Sequence, residues 1–99
     1  MIKEQIRELQ ILTNYLKISE KNIILKAINF SDSAHKNQLR KSGDPFITHP
    51  IEVAKILTTI KLDASAIAAG LLHDTIEDTN ISIDEITNIF GDQISELVQ

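Results

Sequence analysis

Seven residues near the middle of the chain, RKSGDPF (40–46), interrupt a pattern that is otherwise helical on both sides. Gly43 frees the backbone there, and Pro45 pushes Asp44 out of the helical region. This is the one clear loop in the sequence, and it divides the chain into two helical stretches.

Before the loop, Ile2, Ile6, Leu9, Leu12 and Leu16 recur at three- and four-residue steps, which predicts a helix over 2–16. Ser19 is suited to cap a second helix that carries Ile23, Ile24, Ala27 and Phe30 toward His35 and Leu39. After the loop, His49-Pro50 opens a third helix with proline in its first turn, and Ile51, Ala54, Ile56 and Leu57 form its apolar side. Asp63 is a natural N-cap for a fourth helix from Ala64 to about Asp78. Ser82-x-x-Glu85 is a capping-box pattern for a fifth, ending at Phe90-Gly91, and DQISELVQ (92–99) begins a sixth. No strand alternation is sustained, and there is no internal repeat, low-complexity tract or linker. The expected fold is all-α.

A chain of 99 residues allows one domain at most, and 42% apolar residues allow it a modest core. The net charge of −4 offers no basic field for nucleic acid. Without cysteine there is neither a disulfide framework nor a thiolate metal site. MIKEQIRELQ mixes charge signs and lacks the apolar core of a signal peptide, and no run approaches the ~18 apolar residues of a membrane span. These features lead us to expect a soluble cytoplasmic domain with no membrane or direct nucleic-acid partner. Ile94, Leu97 and Val98 give the last segment an apolar face that stops within about two turns. A helix of that kind packs on something that follows, so the 99 residues are expected to be part of a longer domain.

The chemistry concentrates in GLLHDTIEDT (70–79). Residues four apart share a helix face, so His73 lies under Glu77 and Asp74 under Asp78. Ala66, Ala68, Ala69 and Gly70 precede them and let a neighbouring helix come close. Carboxylates at a helix C-terminus oppose the macrodipole, so the cluster is either a fully solvated helix end or a site that a cation neutralises. A neutral imidazole beside a carboxylate is a mixed donor set that suits Mn²⁺, Fe²⁺ or Zn²⁺ better than Ca²⁺. Glu77 and Asp78, one turn on, would then stand where a general acid or base belongs. His49 is a second candidate ligand, or a helix-entry histidine bonded to backbone. His35, beside Lys36 and Asn37, reads as structural or as lining a site rather than as a ligand. Arg40, Lys41 and Ser42 could hold phosphate, let a guanidinium stack on a base, or be a solvated basic loop.

Three stretches together, AHKNQLRKSGDPFITHPIEVAKIL, AAGLLHDTIEDT and DEITNIFGDQISELV, resemble the N-terminal HD-type hydrolase domain of RelA/SpoT proteins over about residues 19–99, with 1–18 as an added N-terminal helix. That family turns over the alarmone (p)ppGpp. The resemblance implies that His49, His73 and Asp74 are three of four Mn²⁺ ligands. It implies that Glu77 and Asp78 act in activating water, and that Arg40, Lys41 and Ser42 contact the guanine end of the nucleotide. The implied reaction is metal-dependent hydrolysis of (p)ppGpp to GDP or GTP and pyrophosphate. Asn37 stands where the family commonly has glycine, and Phe46 where it commonly has tyrosine. The family's fourth ligand, an Asp on a later helix, has no counterpart, since neither Asp84 nor Asp92 matches its motif. On this ground the alternative is a remnant that binds metal or nucleotide weakly or assembles with a separately encoded remainder; a further alternative, against which the RKSG loop argues, is an HD-type phosphohydrolase acting on another nucleotide.

Overall fold

The computed structural model describes residues 2–99. It contains six helices: α1 (Ile2–Leu12), α2 (Ile18–Ala34), α3 (Thr48–Thr59), α4 (Ala64–Asp78), α5 (Ile83–Phe90) and α6 (Asp92–Val98). Among the described residues the only β pairing is one antiparallel bridge between Leu39 and Pro45, so the fold is the expected all-α bundle.

The centre of the bundle is α4. Ala64, Ile67, Ala68, Leu71, Leu72 and Thr75 are buried along it, and it packs against α2, α3 and α6. A helix buried over that much of its circumference must be apolar on nearly every side, which its ASAIAAGLL run (64–72) provides. Its start is fixed by the predicted cap: Asp63 Oδ1 accepts from the Ala66 N–H at 2.9 Å. The Ser82 capping box also forms, with the Glu85 N–H donating to Ser82 Oγ at 3.2 Å. Gly91 ends α5 and starts α6 in one residue, at φ +92° and ψ 171°, a conformation open essentially to glycine alone.

Several details depart from the sequence expectation. The first helix stops at Leu12, short of Leu16, and beyond it the backbone tightens into turns in which Asn14 N–H donates to Ile11 O at 3.1 Å and Leu16 N–H to Thr13 O at 2.9 Å, while the Thr13 hydroxyl bonds the carbonyls of Leu9 (2.9 Å) and Gln10 (3.0 Å). Thr13, not Leu12, is then the buried residue at this end. The second helix starts at Ile18, with Ser19 inside its first turn and exposed. Its end is closed from the other direction, by Glu20 Oε1 accepting the Lys17 N–H at 3.0 Å. Ile56 is 66% exposed, because the buried stripe of α3 runs through Ile51, Ala54 and Thr58, and Ile56 lies on the opposite side. Leu39 and Leu97 are exposed as well, while Ile94 and Val98 face the core.

Candidate metal and nucleotide site

The last two turns of α4 carry the charged cluster out of the core. Leu71, Leu72 and Thr75 point inward, His73, Glu77 and Asp78 are exposed, and Asp74 lies between. The apolar half of the helix therefore anchors the titratable half at the surface. On the neighbouring helix, Pro50 stands in the first turn of α3 and His49 beside it faces Asp74.

His49 Nε2 and Asp74 Oδ2 are 3.9 Å apart. That is too long for a hydrogen bond, but it is the spacing of two donors on one ion, since ligand atoms at about 2.1 Å from a cation lie roughly 3 to 4 Å from each other. His73 Nδ1 lies 3.0 Å from Asp74 Oδ1. An ionised carboxylate can only accept, so the ring proton sits on Nδ1 and Nε2 keeps its electron pair. The structure thus brings His49 to Asp74 and His73 to Asp74. Among the described residues it does not close three carboxylate or imidazole groups into a finished cage. Two imidazoles and a carboxylate on adjoining helices are nonetheless a donor set that fits a first-row divalent cation.

A cleft of about 550 Å³ opens beside this group, with His49, His73 and Asp74 as its polar members and Pro50, Val53, Leu57 and Leu97 as apolar wall. Neither Asp84 nor Asp92 lines it. α3 and α4 come close here because Gly70 has no side chain; a Cβ on it would lie 3.0 Å from Leu57 Cδ1.

Glu77 and Asp78 do not line this cleft. Asp78 instead borders a second hollow with Gln38, Leu39 and Phe46, and its backbone carbonyl accepts from Gln38 Nε2 at 3.2 Å. Asp78 therefore lies toward the 38–46 turn, and Glu77 is exposed beside it.

That turn is closed by its own backbone: Arg40 N–H donates to Asp44 O at 2.8 Å, and Phe46 N–H to Gln38 O at 3.0 Å. Arg40 Nη1 donates to Thr48 Oγ1 at 3.1 Å and to Glu52 Oε1 at 3.2 Å. Ser42 Oγ donates to Asp44 Oδ2 at 3.0 Å, and Lys41 is exposed. These three do not converge into a phosphate cradle. A guanidinium bonded through its edge presents a face, which suits stacking on a base, while the Asp44 carboxylate beside Ser42 opposes an anion.

His35 is buried, in keeping with a structural role. Sequence reasoning missed its connections. Its ring stacks on Phe46 at 4.2 Å, and the Phe46 ring meets that of His49 at 6.1 Å and 67°. The signal available in the sequence was the AH…Q…F…H order alone, which carries no distance.

Residues 27–99 match the model of a family described as HD domain. The chain is 52% identical over 77 residues to a GTP pyrophosphokinase of Myxococcus xanthus, covering 78% of this chain and 10% of that protein. It is 44% identical over 77 residues to a probable GTP pyrophosphokinase of Mycobacterium leprae, with the same 78% and 10% coverage. It is 46% identical over 87 residues to a putative chloroplastic GTP diphosphokinase RSH1 of Oryza sativa subsp. japonica, covering 87% and 10%. The chain spans about 10% of the length of these relatives.

Proposed function

Because the chain belongs to the HD domain family, and within it to the RelA/SpoT group, we propose that it is the (p)ppGpp 3′-pyrophosphohydrolase type of HD domain, serving alarmone turnover in the stringent response. HD domains act with divalent metals in general, and here the metal is proposed to be Mn²⁺. The observation that carries the reading is the 3.9 Å approach of His49 Nε2 to Asp74 Oδ2 across two helices, beside a turn bearing Arg40.

In this reading His49, His73 and Asp74 hold the cation. Once bound, it offsets charge on the phosphate oxygens and lowers the pKa of a nearby water. Asp74 also orients the His73 ring by accepting from its Nδ1, which leaves Nε2 as the nitrogen that would take the cation. Glu77 and Asp78, exposed one turn beyond, accept the proton of the attacking water. Arg40, held edge-on by Thr48 and Glu52, stacks on the guanine, with Lys41 and Ser42 at the same end. A guanine nucleotide is the proposed partner, and the cytoplasm the proposed location. Among the described residues no helix is long and apolar enough to cross a membrane.

The test is pyrophosphate release from ppGpp by the purified chain, with Mn²⁺ and with EDTA. Chelator-sensitive turnover that Asp74→Asn lowers by at least about 100-fold supports the reading. Mn²⁺-dependent turnover that Asp74→Asn leaves unchanged refutes the metal assignment. A folded chain without turnover would refute hydrolysis by these residues alone and favour a domain that acts with a separately encoded remainder.

A further inference from the structure

Gln38 lies between two structural neighbours whose chemistry is fixed. Its Nε2 is 3.2 Å from the Asp78 backbone carbonyl, and its Oε1 is 2.5 Å from His35 Nδ1. A backbone carbonyl only accepts, so the group facing Asp78 must be the amide NH₂. The group facing His35 is then the amide oxygen, which also only accepts. The proton of the His35 ring must therefore lie on Nδ1.

His35 Nε2 is buried without a partner, and so is Ser31 Oγ. His35 caps the C-terminus of α2, where its backbone N–H donates to the Ser31 carbonyl at 3.0 Å. A neutral His35 ring protonated on Nε2 would leave the Gln38 carbonyl without its bond.

We infer that His35 is a positioning residue of the site, acting through Gln38 to tie the 38–46 turn to the end of α4 that carries Glu77 and Asp78, and through Phe46 to back the His49 ring. Its role in the reaction rests on the function proposed above; the tie itself does not. A burial role alone would need only a ring of this size. The arrangement uses a ring with one proton on one nitrogen, a side-chain amide in one orientation, and a helix-terminal carbonyl that would otherwise face solvent. It couples two segments 40 residues apart in sequence.

Long-range ¹H–¹⁵N spectra of the whole chain read the tautomer directly. A proton on Nδ1 of His35 is expected; a neutral ring protonated on Nε2 overturns the inference. Amide hydrogen exchange reads the tie. His35→Phe keeps the stacked ring and removes the donor, and Gln38→Met keeps the volume and removes the amide. Each is expected to speed exchange at Phe46 and at the last turn of α4 by about fivefold, the effect of one hydrogen bond, with the double variant no faster than either single. Gln38 is exposed, so Gln38→Met keeps the test decisive should His35→Phe fail to fold. Exchange unchanged in Gln38→Met, or effects that add in the double variant, overturns the inference. In turnover of ppGpp, both variants should lower kcat with KM nearly unchanged. A wild-type chain that shows the tautomer and the exchange effect but no turnover removes the proposed function and leaves the tie standing.

Discussion

Asn37 closes the C-terminal side of α2 at φ +70°, in the left-handed region. This gives a physical meaning to a substitution that the sequence shows only as a departure from a common glycine. Asparagine tolerates this region better than other side chains, because its short polar group bonds locally. Asn37→Gly is therefore expected to leave stability within about 1 kcal/mol of the parent, while Asn37→Val should cost about 1–2 kcal/mol, both read by urea unfolding. The backbone angle was not legible in the sequence, but the candidate residues were. His73 and Asp74 stood out as a candidate pair from their types and spacing, while His49 was one candidate among two readings until the family resemblance picked it out. The pairing of His49 with Asp74 needed two helices to cross. The tie from Gln38 to Asp78 was invisible because nothing local distinguishes that glutamine from any exposed one.

Helix boundaries followed local signals wherever a side chain capped its own helix, as at Asp63 and Ser82. They slipped where the chain tightened into turns after Leu12, or a glutamate capped from within, at Glu20. Periodicity located the apolar residues of α3 but not which of them faces the core, since Ile56 and Leu57 differ by only one step. The close approach of α3 and α4 at Gly70 was expected from the run of small residues, and it yields a test. Gly70→Ala gains helix propensity of about 1 kcal/mol and asks only the flexible tip of Leu57 to move, so its net effect should stay under about 1 kcal/mol. Gly70→Ile adds branches at the same contact and should destabilise by about 1–3 kcal/mol in thermal melts.

At the scale of the whole molecule, the two ends of the α1–α3 packing are held by polar contacts. Lys55 pairs with Glu8, and the Tyr15 hydroxyl donates to Leu62 O at 2.6 Å. Burial raises the Tyr15 pKa above its ordinary 10.0, and the negative charge of Asp63 raises it further. The folded chain therefore holds this proton more tightly than the unfolded one. The resulting stability is fully present below pH 10 and is lost as pH rises through the folded value. Stability should fall as pH rises above 10, and Tyr15→Phe should flatten that part of the curve at a cost of about 1 kcal/mol at neutral pH, as read by denaturant titration across pH.

Within α1 itself only Leu9 is fully buried, with Thr13 just beyond it. That thin anchorage makes the N-terminal helix a separable outrigger of the bundle. Its amides should exchange with solvent well before those of α4, through openings that leave His49 and Asp74 in place. A protease meeting the native chain would then cut first among residues 11–18, where Ile11, Leu12 and Ile18 are already exposed, and release a core that begins at α2.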